Sequence, residues 1–119
     1  MKTALTLSAL LLASATVAQA DPLTLDLPGT PERMRFTYEC SDGVSRVVDY
    51  VNLPDNDLAI VEAGSSRRLF VGVIAASGAK YAAGAQVWWS KGTDASLLDV
   101  TKGDAPVAEC QQIKRGSRG

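Results

Sequence analysis

The sequence predicts an all-β fold: a small antiparallel β-barrel of about eight strands closed by one disulfide. Three observations lead there. Beyond residue 20, apolar positions recur with a period of two, and no stretch keeps helical spacing over three turns. Turn formers interrupt these alternating runs at short, regular intervals. The two cysteines, Cys40 and Cys110, fall in the first and last of the runs, so a bond between them would staple the seam. Closure suits a small sheet because it removes the exposed edges that would otherwise need protection.

The chain opens with a segment outside the fold. Lys2 supplies a positive start, residues 4–13 are apolar, and Ala18-Gln19-Ala20 is an A-x-A cleavage signal. Residues 1–20 therefore read as a secretory signal peptide cut before Asp21. The apolar run is too short to span a bilayer. The residue after the cut is aspartate, where a bacterial lipoprotein would carry cysteine. The expectation is a periplasmic protein with no lipid anchor and no stable membrane insertion.

Cleavage of 20 residues from 119 leaves 99, enough for one core and no second. Lys2 is the only charged residue removed, so 11 basic and 13 acidic residues remain, a balance of −2. Two cysteines in an exported chain should pair. The loop they would close is about 70 residues long, and the chain-entropy argument gives roughly 4 kcal/mol of stabilisation. A cysteine-based metal site lacks close ligand spacing, and the chain has no histidine. No cofactor is expected.

Residues 21–33, with Pro22, Pro28, Gly29 and Pro31, read as an extended leader. The barrel is assigned to residues 34–112. Its first strand is 34–40, where Met34, Phe36, Tyr38 and Cys40 alternate with polar residues. Ser41-Asp42-Gly43 turns the chain into a β-branched strand at 44–51. Residues 54–57 turn it again into 58–63, and Gly64-Ser65-Ser66 returns it along 67–74. A tip at Ser77-Gly78 leads into a short strand at 79–81. A bend at Gly84 precedes a strand at 86–90, and Lys91-Gly92 turns it into 94–100. Lys102-Gly103-Asp104 leads to the last strand, 107–112. Residues 113–119 read as a mobile basic tail.

Several motifs invite a function. Ser77-Gly78-Ala79-Lys80 fits the S-x-x-K pattern of serine acyl-transfer enzymes. Those enzymes place it at a helix start in a far larger domain; here it leaves a strand, so an enzyme is not expected. Trp88 and Trp89 are adjacent in a strand and must face opposite sides. One should fill the core and the other cover the outside, either structurally or as a stacking platform. Only the tail is basic and no aromatic-lined basic groove is apparent, so nucleic acid is not an expected partner.

Ser-Gly-Ala-Lys-Tyr at 77–81, followed after a spacer by Trp-Trp-Ser-Lys-Gly-Thr-Asp-Ala at 88–95 and Leu97-Leu98, resembles the MliC/PliC family. These are bacterial periplasmic or membrane-bound inhibitors of c-type lysozyme. The likeness is densest over residues 69–98 and reaches Tyr38-Glu39-Cys40, residues 48–52 and Cys110. It implies a small β-barrel with a bridge of the kind proposed, and c-type lysozyme as partner. It also implies that a serine in the first tip and a lysine in the second reach the lysozyme catalytic centre. The matching positions are Ser77 and Lys91, with Gly78, Lys80, Tyr81 and Thr93 beside them. Two other classes stay open at this point: a periplasmic barrel binding a carbohydrate or other small ligand through a tryptophan, and a structural envelope component.

Overall fold

A computed structural model of the protein describes residues 2–16 and 21–113. The A-x-A signal at 18–20 and all of the 113–119 tail except Ile113 lie outside the described residues. No helix occurs among the described residues, so none could cross a membrane.

Eight strands form one closed barrel: β1 (Glu32–Cys40), β2 (Ser45–Asn52), β3 (Asp57–Ala63), β4 (Ser66–Val73), β5 (Ala79–Ala83), β6 (Gln86–Lys91), β7 (Asp94–Asp99) and β8 (Ala108–Gln112). Each strand is antiparallel to the next, and β8 pairs back to β1. The up-and-down order follows from the short turns, which can join only antiparallel neighbours. The strands match the expected runs with shifts at their ends. β1 starts at Glu32 because Glu32 and Arg33 pair with Asn52 and Val51, although both are exposed and show no apolar alternation. β7 stops at Asp99, whose carboxylate accepts from the Thr101 backbone N–H and turns the chain away.

Alternation fills the interior. Tyr38, Val48, Tyr50, Ala59, Val61, Phe70, Tyr81, Trp88, Ala95, Leu97, Ala108 and Cys110 form one buried cluster. Trp88 is its largest fully buried side chain. A polar thread satisfies the aromatic tips. Trp88 Nε1 donates to Tyr50 Oη at 2.8 Å, and the Tyr50 and Tyr38 hydroxyls lie 2.8 Å apart. Gln112 Nε2 donates to Tyr38 Oη at 3.3 Å. Burial pushes the Tyr50 phenol well above its ordinary pKa.

Arg46 is the one buried charged residue among those described. Its guanidinium donates two bonds to the Asp42 carboxylate, at 3.0 and 2.8 Å. That hydrogen bonding holds the Asp42 pKa below the usual range. On the outer wall Arg35 bridges Asp49 and Glu62, and Arg67 pairs with Glu62. These exposed pairs add little individually.

Cys40 and Cys110 stand directly opposite each other in the β1–β8 register and are disulfide-bonded. Beside the bridge, Ser41 N donates to Glu109 O and Glu109 N donates to Ser41 Oγ. The expected staple therefore sits on the closing seam. The leader contains no strand before Glu32. Leu23, Leu25 and Leu27 lie across a cleft of about 410 Å³ from Val51, Leu58, Ile60 and Leu69.

Candidate functional site

In an up-and-down barrel the connections alternate between the two ends. The β4–β5 and β6–β7 connections therefore emerge at the same end. The β5–β6 hairpin between them ties the two tips together, with Ala79 opposite Ser90, Lys80 opposite Trp89 and Tyr81 opposite Trp88. Period two then sorts the side chains. Tyr81 and Trp88 point inward, while Lys80 and Trp89 share the outer surface.

The first tip rests on the second. Gly78 has φ +64°, a left-handed conformation. A Cβ on it would run into the Ser90 carbonyl oxygen and lie 2.7 Å from Lys91 Cγ. Only glycine lets the tip approach this closely. Ser77, one residue earlier, is exposed, and its carbonyl accepts a 2.8 Å hydrogen bond from Trp89 Nε1.

Two ammonium groups gather on the same indole. Lys80 Nζ and Lys91 Nζ each lie 4.0 Å from the centroid of the Trp89 ring. Among the described residues neither lysine forms an ion pair. Their N–H groups remain available to an incoming acceptor. Thr93 sits in the exposed second turn, and its carbonyl accepts from Gln112 N at 2.9 Å. A groove of about 260 Å³ runs beside Lys91, lined by Trp89, Asp94, Ser96, Leu98, Asp104 and Pro106.

Of the residues expected at the site, Ser77, Gly78, Lys80, Lys91 and Thr93 lie at or beside the two tips. Tyr81 does not join them at the surface. It is 5% exposed, its ring centroid is 5.6 Å from that of Tyr50, and burial raises its phenol pKa. Trp89 is the contributor that residue-by-residue reading left undefined. Its bond to a backbone carbonyl in the neighbouring connection leaves no trace in the sequence.

The arrangement bears on the stacking alternative. Trp88 is fully buried and can stack on no sugar. Trp89 already carries two ammonium groups. What the end of the barrel offers is a hydroxyl and two unpaired cations, which suits a partner bearing carboxyl groups. Among the described residues no cluster of three or more potential metal ligands exists.

Comparison with known proteins gives the relatives of the chain. The family model described as membrane-bound lysozyme-inhibitor of c-type lysozyme matches residues 38–105. A membrane-bound lysozyme inhibitor of C-type lysozyme from Pseudomonas aeruginosa is 42% identical over 91 residues, 76% of this chain and 72% of that protein. A protein of the same description from Cupriavidus necator is 37% identical over 84 residues, 68% of this chain and 67% of its own length. Among solved structures, Pseudomonas aeruginosa MliC, crystallised in complex with hen egg white lysozyme, superposes with a TM-score of 0.67 at 36% identity. That match covers 82% of this chain and all of the other.

Proposed function

The chain belongs to the MliC family of lysozyme inhibitors, and on that premise we propose that it blocks c-type lysozyme by inserting its two tips into the active-site cleft. It is a binding protein, not an enzyme. The observation that carries the reading is the pair of unpaired ammonium groups on Trp89 beside the exposed Ser77 tip.

Lysozyme cleaves glycans with two carboxyl groups, one held protonated as acid and one ionised. The Ser77 hydroxyl can donate and accept, which suits the group whose protonation varies. Lys91 brings three donors and a positive charge, which suits the ionised group. Lys80 extends the positive field, and Gly78 and Thr93 shape the two turns. Tyr81 acts from below, wedged in the core under the first tip. Tips already fixed by the barrel lose little freedom on binding. The glycan is excluded because its site is filled. The −2 balance of the exported chain would favour encounter with a basic enzyme, raising the association rate more than the affinity.

In this reading the protein works on the periplasmic side of the envelope as a freely exported chain, since Asp21 follows the cleavage signal. The test is titration of the purified exported chain into a cell-wall lysis assay driven by a c-type lysozyme, with a g-type lysozyme as control. Stoichiometric loss of c-type lysis alone is expected. Unimpaired c-type lysis would overturn the proposal and favour a small-ligand barrel.

A further inference from the structure

Three features converge on one side chain. Trp89 Nε1 donates to the Ser77 carbonyl in the first tip. The Trp89 ring lies 4.0 Å from Lys91 Nζ at the second tip, and equally close to Lys80 Nζ. Gly78 brings the first tip into contact with the Ser90–Lys91 backbone and stem on the far side of the same hairpin. The Ser77 and Lys91 tips belong to different connections and share no direct hydrogen bond among the described residues; the indole links them.

From this we infer that Trp89 is the positioning residue of the two-tip site, holding the Ser77 tip by its N–H and the Lys91 ammonium by its ring before any partner arrives. The inference rests on the reading of the tips as the lysozyme-contacting surface. Its physical basis is preorganisation. A lysine stem samples many rotamers, and fixing it at the moment of binding costs affinity. An ammonium already seated on an aromatic face has lost that freedom, while its outward N–H groups stay free for a carboxylate. Two like charges near each other would normally spread apart. The ring's negative face offsets their repulsion and concentrates positive charge beside Ser77. The indole N–H supplies the other half: its bond to the Ser77 carbonyl holds the first tip beyond what the Ala79–Ser90 pairing and the Gly78 contact provide.

The two halves separate chemically. Trp89→Phe keeps an aromatic face and removes the N–H. Trp89→Leu removes both. Trp89 lies on the outer wall with the core residue Trp88 beside it untouched, so neither change empties the barrel. In the free protein, proton NMR should show the ε-methylenes of Lys80 and Lys91 displaced upfield by the ring in the parent and in Trp89→Phe. The displacement should vanish in Trp89→Leu.

Against c-type lysozyme, Trp89→Leu should weaken inhibition about tenfold and Trp89→Phe about threefold, through lost preorganisation. Adding Trp89→Leu to Lys91→Ala should weaken inhibition by much less than tenfold beyond Lys91→Ala alone, about threefold or less, because most of the indole's effect runs through that ammonium. Undisplaced ε-methylenes in the parent would overturn the inference. So would parent-like inhibition by Trp89→Leu, or a full tenfold additive loss in the double variant, which would mean direct contact with lysozyme. Should Trp89→Leu fail to fold, Trp89→Phe decides the N–H half, and inhibition equal to the parent refutes it. Parent-like inhibition by Lys91→Ala, with both ring displacements present in the parent, would instead remove the lysozyme-contact reading, and with it the purpose of the clamp, while its geometry stands.

Discussion

Gly78 packs against the stem of Lys91 so closely that a single added methyl would stand 2.7 Å from Lys91 Cγ, with the Ser90 carbonyl in its path. The contact joins the two turns that face the same way from the barrel. It also makes the first turn intolerant of any side chain at its apex, since Gly78 has φ +64° as well.

Gly78→Ala should therefore cost about 1–3 kcal/mol of stability, from left-handed strain and displaced backbone together. Gly43→Ala is the comparison. It also has positive φ, at 78°, but nothing lies within 4 Å of its added methyl. It should cost about 1–2 kcal/mol, the left-handed strain alone, and less than Gly78→Ala. Urea unfolding of both variants measures the difference, and only Gly78→Ala should also impair inhibition.

Lys91→Ala and Ser77→Ala should lose inhibition without losing the fold. Both side chains are exposed. Stability should change by less than about 1 kcal/mol, since an exposed cation–π contact is worth no more. Truncating one partner of a buried charge pair costs about 2–5 kcal/mol in a complex, so Lys91→Ala should weaken inhibition at least about tenfold. Ser77→Ala, which removes a neutral hydroxyl, should cost about 1–3 kcal/mol. Lys102→Ala controls for loss of charge. An equal effect there would mean that general electrostatics, not the two tips, drives inhibition.

How much of this was legible beforehand differs between framework and site. Period-two alternation and turn residues locate all eight strands, because one face of each strand must be buried and the other not. The ends blur where pairing continues through exposed residues, as at Glu32 and Arg33. The split of Trp88 and Trp89 between inside and outside follows from adjacency alone. The Arg46–Asp42 pair was invisible, since a buried arginine four residues from an aspartate looks like any surface pair. Ser77 and Lys91 stood out by resemblance. Their connection through Trp89 did not, because a backbone acceptor has no sequence signature.

The Tyr50 phenol should set part of the alkaline limit of the fold. Its pKa is raised chiefly by burial, with Tyr38 adding to the effect. The folded state keeps this proton above pH 10.0, where an unfolded tyrosine loses it. Stability is thus fully present below that pH and falls as pH rises beyond it. Tyr50→Phe should flatten the fall while lowering stability near neutrality by about 1–3 kcal/mol, because Trp88 Nε1 and the Tyr38 hydroxyl lose a partner. Tyr81, whose pKa is also raised, leaves a residual slope. Urea unfolding from about pH 8 to about pH 11 tests the sign, and an unchanged slope in Tyr50→Phe would assign the effect elsewhere.

The exported protein should begin at Asp21 and carry no lipid. Fractionation of the envelope followed by mass spectrometry of the N-terminus checks this. An acylated or uncleaved product would place the protein on the membrane, alongside relatives described as membrane-bound.

The bond between Cys40 and Cys110 joins the first strand to the last, 70 residues apart. In synthesis from the N-terminus β1 emerges with its thiol unmatched, and β2 to β7 must follow before Cys110 in β8 arrives. Oxidation is therefore a completion mark. A chain that stops before β8 leaves Cys40 without its partner, so the bridge can form only when the last strand is present.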